Sequence, residues 1–173
     1  MRLPYIFISA LLALACLTGS AFGQSSRDYL RLVVDTAKDA YAYVNASGDT
    51  IIPFGRYFIC YTNKFYKWAI VSSEDKGLIG IDRKENVLFN VFIFDNGPDY
   101  PSNGLFRIVK DGKIGYADLN GQIVIQPQYD CAYPFKNGKA EVGKGCGIKS
   151  DGEHSSWTGG QWVTIDKKGK IIK

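Results

Sequence analysis

The sequence predicts an all-β protein of antiparallel β-meander repeats with short turns, either solenoid-like or curled toward an open propeller or barrel. Two observations carry this. Short runs of β-branched and aromatic residues recur along the chain between clusters of Gly, Asn, Asp and Pro, which is the pattern of strands joined by tight turns. A turn-initiating acid or amide also recurs, at Asn45, Asp82, Asp118 and Asp166. The first two intervals are 37 and 36 residues; the third is 48, because 143–160 reads as an inserted loop. A period of this size marks a repeat architecture, in which no unit buries its apolar face alone and neighbouring units complete the core.

The N-terminus follows the three-part plan of a secretory signal. Arg2 supplies the charge, Ile6 to Leu17 the apolar run, and Ala21-Phe22-Gly23 the small residues before a cleavage site placed after Gly23. A competing reading makes Cys16, preceded by Ala15, a lipoprotein cysteine, but Ala-Phe-Gly before Gln24 fits soluble release better. The apolar run is too short for a comfortable membrane span, which takes about 20 residues. The expected organisation is a signal peptide over 1–23, a disordered linker over 24–28, and a single β-repeat domain over 29–173. That domain holds about three units and a C-terminal half unit. The expected destination is the periplasm or the exterior, with no transmembrane segment in the mature chain. With 21 basic and 17 acidic residues scattered along the chain, a net charge of +4 argues against nucleic acid as a partner.

Taken in order, Tyr29 to Asp35 and Ala40 to Asn45 alternate around a polar break and read as a hairpin. A helix over Arg27 to Lys38 is the weaker reading, since Val33-Val34 favour strand. The stretch from Tyr43 to Pro53 then parallels Tyr116 to Pro127, and Ala69-Ile70-Val71 parallels Ala140-Glu141-Val142. A more degenerate copy runs from Ile79 to Val109, and the last half copy from Trp162 to Ile172. In each, the Asp or Asn side chain accepts from backbone N–H groups just ahead of it. A glycine three residues on, Gly48, Gly121 or Gly169, takes the left-handed conformation that closes the turn. Glu85 stands at that glycine position in the second unit, where left-handed geometry costs roughly 1–2 kcal/mol. Asn86 is therefore expected to take the conformation instead, or the loop to be one residue longer.

The third unit carries the fullest pattern: Ile114-Gly115-Tyr116-Ala117-Asp118, Gly121, Pro127, Tyr129-Asp130, Phe135, Gly138 and Ala140-Glu141-Val142. On these residues the chain resembles the WG-repeat (KWG-repeat) family of bacterial exported proteins. The namesake Trp-Gly pair is replaced by Ile114-Gly115 here, by Ala42 before Tyr43, by Ile79-Gly80 and by Trp162-Val163 in the other units. The resemblance implies extended β repeats with a binding or scaffolding role and no catalytic residues.

The residues themselves offer little chemistry. Cys131 and Cys146 flank one module and are expected to form a disulfide, closing a loop of about 15 residues worth about 3 kcal/mol. Cys60, in an apolar run, reads as a small buried hydrophobe. His154 is the only histidine, so multi-histidine zinc sites are excluded, and it reads as a polar loop residue, a Cys146–His154 dyad being the sharper alternative. Gly143 to Gly147 lacks the spacing of a phosphate loop and reads as a flexible inter-strand loop. No cofactor or metal is expected. The surface candidates are aromatic, Tyr100, Tyr133, Trp157 and Trp162, whose flat rings suit sugar or peptide recognition or pack between repeats. The expected function is a non-enzymatic exported binding or scaffold protein for a protein or a cell-envelope carbohydrate. The alternative is an envelope hydrolase using loop carboxylates at Asp95, Asp99 and Glu153, which requires two of them facing each other across a cleft at about 5–9.5 Å.

Overall fold

The structure is a computed structural model that describes residues 28–150, 152 and 155–172. The signal segment, Cys16, Glu153 and His154 lie outside the described residues. Every strand pairing is antiparallel and no helix occurs among the described residues. In chain order, β1 (Leu30–Asp35), β2 (Ala40–Val44) and β3 (Thr50–Ile52) form a first meander, followed by the short strands β4 (Ile59–Cys60) and β5 (Lys64–Phe65). A second meander, β6 (Trp68–Ser73), β7 (Gly77–Asp82) and β8 (Val87–Val91), leads into a small hairpin of β9 (Ile93–Phe94) and β10 (Gly97–Pro98). The third is β11 (Leu105–Lys110), β12 (Lys113–Asp118) and β13 (Ile123–Tyr129), followed by β14 (Cys131–Ala132). The fourth is β15 (Lys139–Ser150), β16 (Ser155–Asp166) and β17 (Ile171–Ile172).

The structural module is thus a three-stranded meander, offset by one strand from the unit read in the sequence. The closing strand of each sequence unit pairs with the opening strand of the next, as Ala69 does with Ile81 and Ala140 with Ile165. The half unit at the C-terminus thereby completes a meander with β15, and β1 completes the first one. The expected hairpin over 29–45 is present, with Val33 opposite Ala42.

The second and third meanders fuse through β8 and β11, where Ile108 lies opposite Val91, into a seven-stranded sheet ordered β13-β12-β11-β8-β7-β6-β4. This sheet curls. Trp68 on β6 donates its indole N–H to the carbonyl of Leu119, 3.0 Å away in the β12–β13 turn, although three strands separate β6 from β12. Inside the curl, Trp68 stacks on Phe106 (5.4 Å, 12°) and meets Phe89 edge-on, with Leu78, Val91, Ile108 and Ala117 completing a cluster. Strand alternation places the neighbouring residues on the opposite face. There Ile79 and Ile81 join Leu30, Tyr43, Ile52 and Phe65 of the first sheet, and Ile114, Tyr116 and Ile125 join Ala140, Val142 and Ile165 of the last. Two apolar clusters therefore lie between the seven-stranded sheet and its four-stranded neighbours, and the third fills the curl of the seven-stranded sheet.

The four turns are the same object. Asp118 Oδ1 accepts from the N–H groups of Asn120 and Gln122, both at 2.9 Å, while Gly121 N donates to the Asp118 carbonyl. Asn45, Asp82 and Asp166 repeat this pattern at 2.8–3.0 Å. Gly48, Gly121 and Gly169 have φ of 92°, 76° and 79°. The expectation for the second unit is corrected: Glu85 itself adopts φ 62° and the loop has no extra residue. Its carboxylate accepts from Arg56 Nε at 2.7 Å and from the Tyr57 hydroxyl at 2.8 Å, which anchors the strained residue to the preceding unit.

Two further readings are corrected. In the first three units a register irregularity falls two residues before the turn residue, at Tyr43/Val44, Gly80/Ile81 and Tyr116/Ala117. Gly80 therefore stands at the tyrosine position and not at the glycine of the Trp-Gly pair. The Phe89 ring fills the space: a Cβ on Gly80 would lie 2.4 Å from it. Residues 143–150 and 155–160 are strand and not loop. They extend β15 and β16 into a long two-stranded ribbon that keeps one register from Lys139–Asp166 to Ser150–Ser155, interrupted only at Gly145 and Gly160. Gly145 and Gly160 at φ 70° and 78° bend this ribbon without ending it.

Candidate functional site

The two segments that depart from the repeat, the β9–β10 hairpin and the β15–β16 ribbon, meet. Phe92, at the root of the hairpin, lies 6.3 Å from Trp157 on the ribbon, and both rings pack against the cluster built on Tyr116 and Phe135. Trp157 is paired across the ribbon with Ile148, which is 65% exposed. On the hairpin side Ile93, Phe94 and Tyr100 are exposed. Scattered exposed hydrophobes need no explanation, but large ones borne on two insertions that touch make this region the candidate interaction surface.

The platform beneath this surface is a buried ion pair. Arg107 on β11 and Asp99 are each almost fully buried. Arg107 Nη2 donates to Asp99 Oδ1 at 2.5 Å, Nε to Oδ2 at 3.0 Å, and the Arg107 backbone N–H to Oδ2 at 2.8 Å. Its Nη1 donates to the carbonyl of Ala132 in β14 at 3.0 Å. Both carboxylate oxygens and three guanidinium nitrogens are satisfied, the condition under which a buried charge pair is tolerated. The guanidinium also lies 4.1 Å from the Phe92 ring centroid and 5.6 Å from that of Phe94, a cation–π contact that presses both rings onto the platform. The hairpin is closed by Phe92 N–H to the Arg107 carbonyl and Asp99 N–H to the Phe92 carbonyl.

The sequence-predicted residues fall in different places. Trp157 meets Phe92, and Tyr100, which follows the buried Asp99 in the chain, is 72% exposed. Tyr133 and Trp162 pair with each other at 5.5 Å, nearer the root of the ribbon, where the indole N–H donates to the Gly159 carbonyl. Beside them the sulfurs of Cys131 and Cys146 stand at bonding distance, 2.07 Å. Cys60 is buried, and burial pushes its thiol up to about 11. Asp130 links the ribbon to β12: it accepts from Lys113 and, at 2.7 Å, from Gly145 N–H. The Lys113 hydrogen bond, then the Gly145 bond, hold its carboxyl below the usual range.

Of the carboxylates named for the hydrolase alternative, Glu153 lies outside the described residues. Asp99 is committed to Arg107 in the interior, and Asp95 occupies a left-handed turn position at φ 48°. No cluster of metal-ligating side chains occurs among the described residues. Sequence reasoning missed Arg107 and Phe92. The only available signal was an arginine inside the apolar run Leu105-Phe106-Arg107-Ile108-Val109, a polar interruption that required a buried partner.

No curated protein and no solved structure matches the chain. The family model of the WG containing repeat matches residues 114–145, which spans β12, β13, β14 and the start of β15, and so bears out the WG-repeat resemblance on the unit that carries it most fully.

Proposed function

We propose that this is a non-enzymatic, exported β-repeat protein that binds or scaffolds a protein or cell-envelope carbohydrate through the surface formed by the β9–β10 hairpin and the β15–β16 ribbon. The observation that carries the reading is the Phe92–Trp157 contact, which joins two segments that depart from the repeat and between them expose Ile93, Phe94, Tyr100 and Ile148. The Arg107–Asp99 platform supports it, since a rigid aromatic patch loses little entropy on binding. The pairing of Cys131 with Cys146 is compatible with an oxidising compartment and so with export.

The test is affinity capture with the purified protein from envelope extracts, together with a glycan panel. Ile93→Ser/Tyr100→Ser changes two strongly exposed side chains and should abolish capture while leaving thermal unfolding unchanged. Capture that survives this double substitution would remove the surface from the proposal.

A further inference from the structure

A second surface carries a chemistry that the aromatic patch lacks. Lys64, Tyr66, Lys67 and Trp68 line an open cleft of about 350 Å³, closed on its other side by Leu119 and Asn120 of the third turn, with Thr62 at its edge. The cleft exists because the sheet curls and brings Trp68 to Leu119, so residues of the first and third sequence units share it. Its volume is at the small end of the range for ligand sites.

The charges in and beside it are placed at a cost. Arg31 on β1 and Lys64 on β5 are directly opposite each other, both exposed, and like charges at opposed positions of an antiparallel pair are destabilising. Among the described residues, Arg31, Lys64 and Lys67 have no carboxylate within ion-pair distance. Two turn carboxylates flank the cleft and both accept from backbone N–H groups: Asp118, beside Leu119, from Asn120 and Gln122, and Asp82, opposite Trp68 on β7, from Lys84 and Asn86. The exposed Tyr66 ring stands beside the two lysines, braced by Tyr29 at 5.1 Å, and Lys64 Nζ lies 5.4 Å from the Tyr29 ring centroid. Thr62 uses its hydroxyl oxygen to accept from Ile70 N–H, which leaves its proton to donate.

We infer that this cleft binds an acidic saccharide of the uronate type, its carboxylate between Lys64 and Lys67 and its ring face on Tyr66. An unpaired cation cluster selects an anion. The adjoining flat aromatic face and neutral polar groups favour a sugar ring over an acidic peptide, whose side chains offer no such face. The inference is independent of the surface proposed above.

The experiment is calorimetric titration of the purified protein with oligogalacturonate, with a neutral dextran oligomer and oligo-glutamate as comparators. Oligogalacturonate binds, and Lys64→Gln/Lys67→Gln weakens it at least about tenfold, since one charge-assisted hydrogen bond is worth about 1.5 kcal/mol or more. Tyr66→Ala weakens it several-fold, and Ile93→Ser/Tyr100→Ser leaves it unchanged. Lys67→Gln alone and Tyr66→Ala carry the test if the double variant fails to fold. Absence of oligogalacturonate binding overturns the inference, as does equal affinity for the dextran oligomer. Tight oligo-glutamate binding that is indifferent to Tyr66→Ala overturns it in favour of an acidic peptide.

Discussion

Glu85 holds a left-handed backbone conformation that its three counterparts leave to glycine. Burial pulls its carboxyl upward, but the hydrogen bonds from Arg56 and Tyr57 and the Arg56 charge outweigh that and hold it below the usual range. Glu85→Ala keeps the backbone cost and forfeits both hydrogen bonds, whereas Glu85→Gly forfeits the bonds and relieves the backbone. Denaturant unfolding should therefore place Glu85→Ala below the wild type and Glu85→Gly above Glu85→Ala by about 1–2 kcal/mol. Equal stabilities for the two variants would show that the turn relaxes when the anchor is lost. The aspartates and glycines of the other turns were legible from sequence because each bond spans two to four residues. Glu85 was not, since its partners lie 28 and 29 residues away and become neighbours only when the first connecting segment folds over the second turn.

Arg107 and Asp99 do at the level of the element what apolar residues do in the units on either side. In the first connecting segment Tyr57, Cys60 and Phe65 enter the core, and in the third Ala132 and Phe135 do so; in the second, the hairpin is held by a charge. The first and third also share a tyrosine that meets a phenylalanine edge-on, Tyr43 with Phe65 and Tyr116 with Phe135, each hydroxyl donating to a backbone carbonyl. Gly80 at the equivalent place has no ring to offer. Asp99→Asn should cost about 3–5 kcal/mol, because it leaves a buried guanidinium uncompensated. Asp99→Leu/Arg107→Met should recover much of that loss. Hydrogen exchange at the Phe92 and Asp99 amides would report whether the hairpin detaches first. A double variant no more stable than Asp99→Asn would mean that the Ala132 bond and the ring contacts, and not the charge pair, hold the hairpin. The strands of this region were readable from their alternation, but the ribbon was not: its glycines are turn formers by composition and act here only as bends within a paired ladder.

For the whole molecule, acid and alkali act on different groups. Asp82 is held below its usual range first by the Asn86 side chain and Asp130 first by Lys113, and Glu85 is also held low. A depressed carboxyl contributes stability above its unfolded value, about 4, and that contribution is lost as pH falls through the folded value. Cys60 is raised to about 11 by burial, so its contribution is complete below the unfolded thiol value of about 8.5 and is lost as pH rises toward 11. The thermal midpoint should be flat near neutrality, decline below about pH 4, and decline again above about pH 9. Cys60→Ala should remove the onset of the alkaline limb, and an unchanged limb would assign it to the buried tyrosines Tyr43 and Tyr116 instead. The number and spacing of repeats were legible because the turn acids mark them. The curl was not, because it depends on β8 pairing with β11 across the hairpin and on Trp68 packing against Gly121, where a Cβ would come within 2.8 Å of the indole. That closure sets an arithmetic on the array. An open solenoid can gain or lose a unit anywhere and keep every interface, but here β6 must find the β12–β13 turn, so a meander inserted between the second and the third would carry Leu119 away from Trp68. The second and third meanders are thereby locked as a pair, and duplication of a unit between them is closed at this junction.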